Sequence, residues 1–334
     1  MERMASAPSS SAIELPVHGG PLRSPQAGAR FAWFVVAYNV LVVLWGALVR
    51  ATGSGAGCGN HWPLCNGVVV PVSPTFHTIV EFTHRMMVSG SIIVMFALLV
   101  FTWRASGKGW AARVFAALAG ILLLNEAFLG ALLVKLGYVT NNYSLGRVVV
   151  LSIHLGNTLL LLAAITLCAV MLGTQQRWRD LHAQGRDRTI ALLGLLATLI
   201  VGISGSLAAL GDTLFPSTNF SAAMAKDFAA SSPLLLRLRG VHPASAVIAA
   251  VFILWLVVRS RQQTHNHSGK AVLVLLAVQF ILGTLDVLLL APTWMQILHL
   301  FGADVFWLAL VVAAARTVWP LAPALTSSSA TPAR

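Results

Sequence analysis

The chain has 334 residues, of which 57% are hydrophobic and 10% charged, and its mean hydropathy is +0.80. No soluble core needs that much apolar sequence, so the composition excludes a water-soluble globular protein and describes a polytopic integral membrane protein. The formal net charge of +12 invites a nucleic-acid partner, but the placement of the basic residues gives a better account, and no nucleic acid is expected.

Residues 1–30, rich in Ser, Pro, Ala and Gly and without an apolar run, read as a disordered cytoplasmic tail. No cleavable signal peptide is evident, and Glu2 and Glu14 count against a mitochondrial presequence. Eight apolar segments of spanning length follow, at 31–50, 83–103, 111–134, 150–172, 189–210, 240–259, 271–291 and 295–318. The expected fold is an all-α membrane protein of eight transmembrane helices arranged as two tandem four-helix bundles. These are an N-terminal half, 31–173, and a C-terminal half, 189–319, joined by a cytoplasmic linker at 174–188. Residues 320–334 form a second disordered tail. With both termini cytoplasmic, 15 of the 22 Lys and Arg residues fall on the inner side, the bias of an inserted protein.

The two halves look duplicated. His84, His154, His242 and His299 each sit near the start of the second or fourth segment of a half, and both third segments carry a polar residue four before a glycine, Glu126 with Gly130 and Gln279 with Gly283. The spacing from His84 to His154 is 70 residues and from His242 to His299 is 57, each enough for the chain to cross twice and return to the same depth. Even-numbered helices then run from outside to inside, so all four imidazoles lie towards the outer leaflet. Ionisable or ligating side chains are expensive in hydrocarbon and mark functional sites. Two imidazoles on neighbouring helices of one bundle are the arrangement that ligates a haem iron from both sides. The plainer alternative makes each histidine a polar residue bonded to a neighbouring helix. His18, His182, His265 and His267 fall in tails or cytoplasmic loops and are expected to be solvated; His61 and His77 lie in the first outer loop.

The halves are unequal. Glu81 precedes His84 by one helical turn, whereas Arg239 holds the corresponding place before His242. A carboxylate beside one site can handle protons, and an arginine beside the other can pair with haem propionates. An ion pair of Glu81 with Arg85 is the structural alternative. The outer loop GSGAGCGNHWPLCNG holds Cys58 and Cys65 on the oxidising side, where a disulfide is expected. That bond would staple the loop or exchange electrons, and a metal site of both cysteines with His61 is a third reading. Cys168, inside the fourth segment, reads as an inert apolar residue.

The run RATGSGAGCGNHWPLCNG at 50–67, EFTHR at 81–85, the eight segments and the four histidines resemble the haem A synthase family across residues 31–318. Two departures stand out: Gly59-Asn60-His61 where the family often has Pro-Asp before the tryptophan, and Glu126 where it often has glutamine. The resemblance implies oxidation of a methyl group of haem O to the formyl group of haem A, in two steps through an alcohol and a hydrated aldehyde, for maturation of haem-copper oxidases. It implies His84 and His154 as ligands of the haem O substrate, His242 and His299 as ligands of a resident haem b, Glu81 as the catalytic acid, and the Cys58–Cys65 disulfide of the cysteine-pair subgroup. It further implies a bacterial cell membrane, membrane lipid around the chain, a haem O synthase as a partner and an unidentified electron-transfer partner. The rival readings are a bis-histidine cytochrome b carrier, which would place its haems towards opposite faces, and a transporter, for which only Asp286 and Asp304 supply intramembrane acids.

Overall fold

The structure, a computed structural model, describes residues 24–181, 185–229, 231–263 and 268–319. The expected disorder of 1–23 and 320–334, and the solvation expected of His18, His182, His265 and His267, lie outside the described residues. The protein is an all-α integral membrane protein. Its eight spans are α1 (Pro25–Ala51), α2 (Phe76–Ala105), α3 (Ala111–Lys135), α4 (Leu145–Thr174), α5 (Gly185–Leu214), the joined pair α7 (Leu234–Arg239) and α8 (Val241–Gln263), α9 (Ser268–Leu288) and α10 (Thr293–Val318). A short α6 (Phe220–Phe228) lies between α5 and α7.

The helices begin before the apolar runs because capping, not hydropathy, sets their first turn. Ser24, Thr75 and Ser144 accept the backbone N–H of Ala27, Thr78 and Arg147, and Pro25 occupies the first turn of α1. The start at Pro25 makes residues 25–30 helical, a correction to the boundary of the N-terminal tail. Likewise the linker 174–188 contains a 3₁₀ turn, Trp178–Asp180, and the first residues of α5. A 30-residue helix such as α2 is about 45 Å long, against roughly 30 Å of hydrocarbon. His84 lies eight residues, about 12 Å, along α2 from its start. Gly240 separates α7 from α8, and Pro243, lacking an N–H, cannot bond back to the Arg239 carbonyl. That break leaves His242 in the first turn of α8. Helix α6, unmarked by any hydrophobic signal, is capped by Asn219 through the Ala222 N–H.

Small residues set the close helix contacts, as expected where lipid is as apolar as the protein interior. Ala111, Ala112, Ala116 and Ala119 of α3 are buried against α1, α2 and α4 in one cluster, and Ala313 and Ala314 of α10 are buried in a second cluster with α4, α5 and α8. Helix α4 contributes to both clusters, and Trp307 Nε1 of α10 donates to the Leu159 carbonyl of α4 at 2.8 Å. Loop contacts sort the helix ends. Thr140 Oγ1 donates to the Gly53 carbonyl at one end, while Trp178 N donates to the Gly109 carbonyl at the other. The four histidines of α2, α4, α8 and α10 are therefore all nearer the end that carries the cysteine loop.

Candidate functional site

Each of the four histidines packs against a glycine on the preceding long helix. A Cβ placed on Gly46 of α1 would lie 3.1 Å from His84 Cε1, and on Gly130 of α3, 3.9 Å from His154 Cε1. In the second half, a Cβ on Gly205 of α5 would lie 2.9 Å from His242 Cε1, and on Gly283 of α9, 3.2 Å from His299 Cε1. The sequence pattern exposed only Gly130 and Gly283, through the polar residues preceding them. Gly46 and Gly205 carried a usable signal too, since each stands in an odd helix at the depth of a histidine in the next even one.

In the C-terminal half the imidazoles of His242 and His299 lie with ring centroids 6.3 Å apart and planes at 76°. Metal–nitrogen bonds of about 2 Å from each ring would span roughly that distance. His242 Nδ1 is 3.2 Å from the Val201 carbonyl and 3.2 Å from Ser204 Oγ. An Nδ1–H donated to the carbonyl leaves Nε2 with its lone pair, the tautomer that binds a metal. His299 Nδ1 is buried without a hydrogen-bond partner. Two imidazoles at this separation, each cleared by a glycine, fit a bis-histidine iron site.

Around His84 and His154 the surroundings are more polar. His84 Nδ1 is buried without a partner. His154 Nδ1 lies 3.3 Å from Glu126 Oε1, within ion-pair range although not aligned as a hydrogen bond. Glu81, one turn before His84, is buried. Its Oε2 accepts the Cys58 N–H at 2.7 Å, and its Oε1 accepts Arg85 Nε at 3.1 Å and Nη2 at 2.5 Å. Arg85 Nη1 in turn donates to the His61 and Leu64 carbonyls at 3.0 and 2.6 Å. The Glu81–Arg85 pair thus exists, and it does more than neutralise a charge: it fastens the loop to α2. The loop descends so closely that Gly57 has no room for a Cβ beside the His77 carbonyl.

Cys58 and Cys65 are joined in a disulfide, and both are buried. With both sulfurs in that bond the metal site of Cys58, Cys65 and His61 is excluded, and among the described residues no group of three or more His, Cys, Asp or Glu side chains could hold a metal ion by itself. His77 Nδ1 pairs with Ser54 Oγ at 3.0 Å, a loop contact. Cys168 is a buried free thiol. Arg239, expected to be available to propionates, instead binds Asp227 Oδ1 through Nε at 2.9 Å and Asp212 Oδ1 through Nη1 at 2.7 Å. Those acids lie 12 and 27 residues away in sequence, which is why local reading missed them. Sequence reasoning also passed over Arg50, whose guanidinium joins α1 to the Ala209 carbonyl and Thr213 of α5 and to Gln296 of α10. Asp304 is buried in the bundle.

Residues 29–311 match the sequence model of the cytochrome oxidase assembly protein family, COX15-CtaA. Over 287 residues the chain is 42% identical to a Thermus thermophilus protein named "Protoheme IX farnesyltransferase", covering 85% of this chain and 47% of the relative. It is 35% identical over 142 residues to "Heme A synthase" of Lysinibacillus sphaericus, covering 42% of this chain and 44% of the relative. Against "Heme A synthase" of Alkalihalophilus pseudofirmus the identity is 36% over 153 residues, 46% of each chain. The chain thus spans about half the length of the curated relatives it matches.

Proposed function

Because the chain belongs to the cytochrome oxidase assembly protein family, COX15-CtaA, we propose that it is a haem A synthase, an oxidoreductase that converts a methyl group of haem O to the formyl group of haem A. The observation that carries this reading is the pairing of unlike sites: two glycine-backed histidine pairs, one of which stands beside Glu81 and the disulfide-closed loop that Glu81 holds. Haem O is the substrate of His84 and His154, and His242 and His299 hold a resident haem b. The N-terminal half, 31–173, is accordingly the substrate half, and the C-terminal half, 189–319, the cofactor half. Bound haem supplies the redox reactivity. The chain's own groups would orient it and exclude water, and Glu81, one turn from His84, would exchange protons with the bound substrate. Reduced to the dithiol by a thiol-dithiol partner, Cys58 and Cys65 deliver two electrons to that site and re-form the disulfide between them.

The protein sits in a bacterial cell membrane with both termini cytoplasmic. The Thermus relative is named for farnesylating protohaem IX, and more than half of it lies outside the match; its name is not carried over, but it supports a farnesyltransferase, a haem O synthase, as the supplier of substrate. A cytochrome b carrier is disfavoured because all four histidines lie nearer one end of the bundle. The test is haem extracted from membranes of cells that express the chain and make haem O. Appearance of haem A is the expected result, and unchanged haem O at confirmed expression would reject the enzyme.

A second measurement concerns the glycines. Gly205→Ala should cost the C-terminal site about tenfold or more in haem affinity by displacing His242, although alanine favours the helix itself by about 0.8–1 kcal/mol. Haem content per purified protein reads the effect; a full complement in this variant would show that His242 does not need its present position.

A further inference from the structure

We propose that Glu126 is a positioning residue that sets the donor strength of His154 towards the substrate iron, an inference that rests on the haem-binding reading above. Glu126 stands on α3, one turn before the glycine that clears His154, and its carboxylate is held from two sides by α4. Asn157 Nδ2 donates to Oε2 at 2.6 Å, and Thr158 Oγ1 donates to Oε1. Asn157 is itself fixed by donation to the Leu122 carbonyl at 2.9 Å and by acceptance from Asn125 Nδ2 at 2.8 Å. So anchored, the carboxylate stands with Oε1 3.3 Å from His154 Nδ1, within ion-pair range and without hydrogen-bond alignment.

None of the other three histidines has this neighbour. His242 Nδ1 faces a neutral carbonyl, Val201, and His84 and His299 have buried Nδ1 atoms with no partner. In the duplicated position of the second half stands Gln279, a neutral amide whose Nε2 is buried and unpaired. A carboxylate that draws on the Nδ1 proton gives the imidazole anionic character and makes Nε2 a stronger donor to iron, which stabilises the oxidised metal. The site assigned to the substrate, the one that must yield electrons, is the one so equipped.

The test adds haem O to the purified full-length protein and follows the potential and low-spin spectrum of the added haem, with the resident haem as internal control. Glu126→Gln should move the added haem to a more positive potential and weaken its binding about 10–100-fold. Thr158→Val, which keeps the charge but removes one donor to the carboxylate, should free it to pull harder on His154 and move the potential the opposite way. Opposite signs with the resident haem unmoved support the proposal. Unchanged potentials, or shifts of the same sign in both variants, overturn it. If Glu126→Gln also loses the resident haem, the fold has failed and Thr158→Val decides alone: a more negative potential supports the assignment, and an unchanged one overturns it. Haem O binding that survives His154→Ala removes the underlying haem reading and this inference with it.

Discussion

Glu81→Ala should abolish haem A formation while the protein remains inserted and keeps its resident haem b, with haem O or its alcohol accumulating. A carboxylate in general acid–base chemistry contributes about 10²–10⁴-fold in rate. The structure adds a second task that the experiment must separate. Glu81 holds the Cys58 N–H and the Arg85 guanidinium, so alanine leaves a buried donor and a cation uncompensated and loosens the cysteine loop. Glu81→Gln is the discriminating variant. Its amide oxygen can still accept the Cys58 N–H, but it cannot exchange a proton. If proton handling is the role, both variants lose haem A; if loop anchoring is the whole role, the glutamine variant retains most of it. The readout is a chromatographic haem profile at matched protein levels, and near-normal haem A in both variants would reduce Glu81 to an anchor for the loop.

Replacing His242 or His299 by alanine should remove the resident haem b entirely, since one imidazole at a site built for two leaves the iron half-ligated between spans. The centroid separation of 6.3 Å and the glycines behind both rings predict that the two variants behave alike. His84→Ala and His154→Ala should keep haem b and lose haem O binding instead. Haemochrome spectra normalised to protein distinguish the two patterns. Full retention of haem b in both C-terminal variants would reject the assignment of cofactor to that half.

Much of the architecture could be read from the chain because hydrocarbon is a demanding solvent. A span must be apolar for about 20 residues and must satisfy its backbone internally, so all eight segments emerge from composition alone, and a histidine within one is conspicuous. The same logic made Cys168 an inert core residue, whereas the pairing of Cys58 with Cys65 followed from their shared loop on the oxidising side. Helix starts were less legible, since Thr75, Ser144 and Asn219 act through a local hydrogen bond that hydropathy does not register. The role of Glu126 was invisible for another reason: a spacing of four before Gly130 shows a shared helix face, not which residue of α4 that face meets.

By itself, then, the sequence determined the class of the protein, the number of its spans and the four histidines that stand within them, because these depend on the cost of placing particular side chains in lipid. Only the tertiary structure decided what surrounds those residues. It gave every histidine its glycine, gave Glu81 the loop amide of Cys58, took Arg239 for Asp212 and Asp227, and placed Glu126 beside His154. Such pairings join helices far apart in sequence and follow from how ridges and small residues fit across a bundle, a property of several helices packed together that is carried by no single stretch of chain.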